Sequence, residues 1–86
     1  MPLPILNSTE AVCDAMRQAI AAALPDAHIQ VTPSSPGHFE IEVVSTAFAG
    51  QPMVKQQKLV LGAIKELMAG DGAPVHAVDR LRTRTP

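Results

Sequence analysis

Apolar residues recur every four positions near the start of the chain, at Val12, Met16, Ile20 and Leu24, with Ala19 and Ala23 in the same stripe. That spacing predicts an amphipathic helix from Ser8 to Leu24. Asn7 stands where a cap is needed, with Glu10 three residues later as its reciprocal partner. Pro25 ends the helix, because the residue before a proline is pushed out of helical conformation. The period then drops to two. In His28–Thr32, Ile29 and Val31 face one way; in His38–Val43, Phe39, Ile41 and Val43 face a core while His38, Glu40 and Glu42 point away. Pro33-Ser34-Ser35-Pro36-Gly37 reads as the turn-rich loop between them, which predicts an antiparallel pair.

From Pro52 to about Met68 the helical period returns, with Pro52 suited to the first helical position and Val60, Ile64 and Leu67 on the buried face. Gly62 is a point at which this stretch divides into two helices. Gly70 to Pro74 is a stop signal, and a last strand opens near Val75. A helical crossover normally returns a strand parallel to its neighbour. The expected architecture is therefore α+β, with a three-stranded mixed sheet, the second strand central, and helices over the face of Phe39, Ile41 and Val43. His38 and His76 each open a strand and fall at the same end of that sheet. Neighbouring strands lie ~4.8 Å apart, so two imidazoles there can ligate one metal centre or adjacent atoms of a cluster. If the two histidines share a level, Glu42 lies opposite Arg80, with Glu40 and Arg82 on the diagonals; a bulge after His76 would shift this register.

At 86 residues, with 47% hydrophobic and 17% charged, the chain reads as one globular domain over 1–86. A domain this small has little room for a deep substrate cavity. A formal net charge of -1 argues against strong sequence-independent attraction to phosphate backbones. Trp and Tyr are absent, leaving Phe39 and Phe48 as the aromatic residues and no base-stacking platform. Cys13 is the sole cysteine, so no intramolecular disulfide can form, and it reads as a packing residue. The longest apolar run, Ala19 to Leu24, is too short to span a bilayer, and the N-terminus does not read as a signal peptide. A cytoplasmic protein with no membrane partner is expected. No nucleotide fingerprint, Ser/His/Asp set, Cys pair or four-ligand zinc spacing is visible, so an enzyme is not expected. His28 reads as a solvated strand residue. On residue chemistry alone, His76 reads as a strand-edge histidine bonded to backbone.

Four stretches change that reading: His38-Phe39, Val43-Val44-Ser45 leading to Phe48-Ala49-Gly50, Val54-Lys55-Gln56-Gln57, and Val75-His76-Ala77-Val78. In this order they resemble the BolA family, whose fold is related to the class II KH domain. The resemblance runs from the first helix to Thr85-Pro86, and the Lys-Gln-Gln run is similar to the IbaG-like branch. It implies an αββααβ, class II KH-like arrangement and a non-enzymatic partner of monothiol glutaredoxins. Such heterodimers share a [2Fe-2S] cluster held by the glutaredoxin cysteine, glutathione and ligands from the BolA-like protein, which carries no cofactor when isolated. By this resemblance His76 matches the C-terminal histidine ligand, and His38 matches a histidine at the end of the variable loop. The implied role is iron-sulfur trafficking or iron sensing.

The family is also linked to transcriptional regulation, so the alternative is a DNA-binding protein using Lys55, Lys58, Arg80 and Arg82. A KH-type grip on RNA would want a Gly-x-x-Gly clamp, and Gly50-Gln51-Pro52-Met53 has only its first glycine. One departure from the family pattern stands out. The stretch from His76 to Thr85-Pro86 is one residue longer, with Asp79-Arg80-Leu81-Arg82 where relatives are more apolar.

Overall fold

The structure is a computed structural model and describes residues 8–86. Helix α1 covers Thr9–Ala23, and its cap is Ser8, whose side-chain oxygen accepts from the Ala11 N–H at 3.1 Å. Asn7, the cap expected from the sequence, lies outside the described residues. The four-residue stripe is buried as expected at Val12, Met16, Ile20 and Leu24, and Cys13 lies beside it. Burial pushes the Cys13 thiol up, which leaves it a packing group rather than a nucleophile. Ala23, placed in the same stripe by its spacing, is exposed at the last turn.

Strand β1 (His28–Ser35) pairs antiparallel with strand β2 (His38–Val44). Pro33, Ser34 and Ser35, expected in a loop, belong to β1, and the turn shrinks to Pro36-Gly37. The reason is position: the strand order is β1-β2-β3, so β1 is an edge, where a proline removes no bond that the sheet requires. Gly37, at φ 78, supplies the left-handed residue that the short turn needs.

Helix α2 (Met53–Ala63) begins one residue later than expected, with Pro52 as its extended N-cap. It breaks at Ile64 rather than at Gly62, and the second helix of the expected pair is a single 3-10 turn, Lys65–Leu67. Val60 and Ile64 are fully buried. Strand β3 (Ala77–Arg84) starts after His76, because the Val75 N–H is spent on the Leu67 carbonyl at 3.1 Å and not on the sheet. β3 pairs parallel with the central β2, as the crossover predicts. The result is an α+β fold with a three-stranded mixed sheet. Its helical face packs Phe39, Ile41 and Val43 against Met16, Ile20, Phe48, Val60, Ile64 and Val75. Among the described residues no helix is long and apolar enough to cross a membrane.

One corner is fastened by a carboxylate that the sequence pattern did not single out. Asp26, between α1 and β1, accepts from Ser45 Oγ at 2.8 Å, Thr46 N at 2.8 Å and Thr46 Oγ1 at 2.6 Å. Ser45 is fully buried, and its Oγ also accepts from the Ala47 N–H at 3.1 Å. The Thr46 hydroxyl and amide, then Ser45, hold the Asp26 carboxyl down to about 2. A carboxylate depressed in the folded state stabilises the fold above its unfolded pKa of about 3.9 and loses that contribution as pH falls toward the folded value. Asp26→Asn should therefore be less stable than wild type at neutral pH. The gap should close between about pH 4 and about pH 2, read from urea unfolding at a series of pH values.

Candidate metal-ligand site

β2 and β3 start at the same end of the sheet, and that end carries His38 and His76. The parallel register sets His38 level with Ala77 and Phe39 level with Val78, so His76 stands one step before the ladder, beside Gly37. The Gly37 carbonyl accepts from both His76 N–H (2.8 Å) and Ala77 N–H (3.1 Å). The His76 ring lies over Gly37. A Cβ added there would fall 2.7 Å from His76 Cγ and 3.0 Å from Cε1, and closer still to Nδ1. The Nδ1 side of this exposed residue thus faces the turn, and Nε2 lies on the opposite edge of the ring.

Gly37 is needed twice, for its backbone conformation and for the space above it. Gly37→Ala should cost ~1–2 kcal/mol from the left-handed backbone alone and should displace the His76 ring. Urea unfolding checks the first effect, and the side-chain NMR shifts of His76 check the second.

His38 is half-exposed, and its Nδ1 lies 2.9 Å from Asp79 Oδ1. Ser34 Oγ donates to the other oxygen, Asp79 Oδ2, at 2.9 Å. Both partners come from irregularities in the sheet. The β2–β3 register passes from Phe39↔Val78 to Glu40↔Arg80, leaving Asp79 as the extra residue of a bulge. A second irregularity between Pro33 and Ser35 frees Ser34 in β1. The hydrogen bond from His38, then that from Ser34, holds the Asp79 carboxyl below its usual range.

Ser34, Asp79 and His38 do come together, although no Ser/His/Asp set was visible in the sequence. The carboxylate occupies the middle. The hydroxyl gives its proton to Asp79 and has no imidazole to serve it as a base, so this trio does not activate a nucleophile.

The same bulge corrects the expected register of the open face. Glu40, not Glu42, lies opposite Arg80, and Glu42 lies opposite Arg82. Counting by twos from His76 failed by two residues, because His38 is level with Ala77 rather than His76 and Asp79 adds one further residue to β3. Arg80 does stay on the open face, with Nε 3.8 Å from Glu40 Oε1, while Arg84 Nη2 lies 3.9 Å from Glu42 Oε1. Exposed pairs of this kind contribute only ~0–1 kcal/mol each.

The four basic residues of the DNA-binding alternative are not gathered on one surface. Lys55 and Lys58 are exposed on α2, where they line a shallow hollow with Ala47, Gln51 and Leu59. Arg80 and Arg82 project from the other side of the sheet, alternating with Thr83, which turns inward and donates to Gln56 Oε1 at 2.7 Å. His28 is exposed and pairs with Val44, at the end of the sheet away from His38.

Among the described residues, no group of three His, Cys, Asp or Glu side chains converges as a metal site. The candidate ligands His38 and His76 are two imidazoles at one end of the sheet. Their chemistry fits iron, which accepts neutral imidazole. Histidine ligands commonly have the second ring nitrogen tied to a carboxylate, as Nδ1 of His38 is here.

A small α+β domain with a central strand, a parallel crossover and a histidine-bearing sheet end defines the class. The BolA-like protein family model matches residues 21–86, and the chain belongs to the BolA-like family. Bovine BolA-like protein 1 is 41% identical over 56 residues, a match covering 65% of this chain and 38% of the bovine protein, well under two thirds of that relative's length. The solution structure of mouse BolA1 superposes with a TM-score of 0.71 at 27% identity, covering 100% of this chain and 76% of that one. A BolA homologue from Coxiella burnetii gives a TM-score of 0.69 at 27% identity, covering 94% of each.

Proposed function

We propose that this BolA-like protein is a non-enzymatic partner of a monothiol glutaredoxin. In this reading it supplies His76 and His38 to a shared [2Fe-2S] cluster whose other ligands are the glutaredoxin cysteine and glutathione. The observation that carries the reading is the pairing of two accessible imidazoles at the start of parallel strands, on either side of Gly37. With two donors in place, the remaining ligands come from the partner and glutathione. The Val54-Lys55-Gln56-Gln57 run adds a likeness to the IbaG-like branch. Histidine ligation generally raises a cluster's potential, and imidazole is a donor that protonation releases. Both properties suit trafficking or iron sensing in the cytoplasm better than permanent storage.

The test is to mix the protein with an apo monothiol glutaredoxin, iron, sulfide and glutathione, and to record the visible and circular dichroism spectra of the heterodimer. A cluster spectrum distinct from that of the glutaredoxin alone is expected. An unchanged spectrum in the His38→Ala/His76→Ala double variant would refute the ligand assignment. Regulation through DNA binding by Lys55, Lys58, Arg80 and Arg82 has less support. Those residues divide between the two sides of the sheet, and Glu40 and Glu42 sit among the arginines. Duplex binding across a salt series tests it: a phosphate-binding surface would lose affinity and salt dependence on Lys55→Ala and Lys58→Ala, with His76→Ala silent.

A further inference from the structure

Asp79 is unusual among the charged residues of this sheet. It sits in a bulge, it is shared by side chains from both other strands, and the extra residue in β3 leaves it out of the strand's pairing. We infer that Asp79 is a positioning residue that holds His38 as the Nδ1–H tautomer, so that Nε2 is the lone pair His38 offers to a metal-bearing partner. The inference rests on the ligand reading above for its purpose, though not for its chemistry.

The geometry supports each part. At 2.9 Å, His38 Nδ1 is within hydrogen-bond distance of an ionised carboxylate oxygen, which can only accept. In the neutral ring, a proton held at Nδ1 leaves Nε2 as the acceptor. The carboxylate is itself steadied, because Ser34 Oγ donates to its second oxygen at 2.9 Å. Asp79, His38 and Ser34 belong to β3, β2 and β1 respectively, so the arrangement spans the whole sheet at one end. Among the described residues His76 has no such anchor; it is placed by its backbone bond to Gly37 and by the space over that residue. The two imidazoles are therefore oriented by different means. Loss of Asp79 should disturb His38 and spare His76.

The test uses the isolated, metal-free protein at a pH where the imidazoles are neutral. Side-chain nitrogen NMR shifts report which ring nitrogen carries the proton. In wild type His38 is expected almost wholly as the Nδ1–H form, whereas exposed His28 in the same spectrum shows the mixture of a free imidazole. Asp79→Ala should move His38 toward the His28 pattern and leave His76 unchanged. Asp79→Glu, which returns a carboxylate to the same bulge, should restore the Nδ1–H form at least in part. A His38 tautomer unaltered by Asp79→Ala would overturn the inference. In the glutaredoxin assay, Asp79→Ala should weaken cluster capture by roughly 10-fold or more, the effect typical of removing a carboxylate behind a histidine ligand. A wild-type cluster spectrum in His38→Ala would sink the ligand reading for that residue. The tautomer result would still stand, so the two failures are told apart.

Discussion

His76→Ala should leave the domain folded and lower formation of the glutaredoxin-shared cluster by more than about 10-fold, since removing even a residue behind a ligand typically costs that much. His76 is exposed and precedes β3, so its ring contributes little to the core that Val75 fills beside it. A ligand, by contrast, is not readily replaced. Among the described residues no group of three His, Cys, Asp or Glu side chains forms a metal site, and the nearby Asp79 carboxylate is engaged with His38 and Ser34. His38→Ala should have a smaller or comparable effect, because it too removes one donor. Visible circular dichroism of the reconstituted heterodimer reads the cluster, and urea unfolding of each isolated variant shows that the fold has survived. A variant with normal unfolding and a normal cluster spectrum would contradict the assignment.

Phe39→Ala should have the largest effect on stability, roughly 3–5 kcal/mol, the usual loss for truncating a buried phenylalanine. Phe39 is 1% exposed in the central strand, packed within the cluster that joins sheet and helices. Few aromatic residues exist to share that work, for Phe48 is the other one in the chain. A domain of this size is stabilised by about 5–15 kcal/mol, so the loss would consume a large part of the margin. The urea midpoint should fall steeply with the slope nearly unchanged. Phe39 also follows His38 directly, so the same variant should loosen the site. Reduced cluster capture in this variant therefore counts as a packing effect and not as evidence for a ligand.

Much of the fold was legible because its signals are local. The four-residue stripe of α1 and the alternation of β2 state which faces are buried, and a helical crossover implies parallel return of the last strand. The co-location of His38 and His76 at one end of the sheet followed from those elements alone. What escaped depends on neighbours far away in the chain. Pro33 argued for a loop, and only the edge position of β1 makes it tolerable in a strand. The open-face register failed first at His76, which stands one step before the ladder, and again at Asp79, although the sequence did carry a sign of the bulge in the extra residue between His76 and Thr85-Pro86. Asp26 carried no periodic signal, because its partners Ser45 and Thr46 meet it only after β1 and β2 have paired. Ser34 was read as a loop residue, and its partner Asp79 lies on another strand.

In the ligand reading proposed above, the parallel pairing that starts at the Gly37 carbonyl is what brings the two donors together. Parallel contacts between distant segments form slowly, since the intervening chain must be closed before any bond rewards it. A nascent or clipped chain ending before His76 would hold α1, β1, β2 and α2, and with them His38, yet would lack both Asp79 and His76. The two donors coexist only once the last strand has zipped onto the sheet. Local opening of that edge strand would part His76 from His38, since such openings can cost less than unfolding the whole domain. Under the proposed ligand reading, a chain that stops short of His76 offers a partner His38 alone, so cluster capture would report that the last strand is in place.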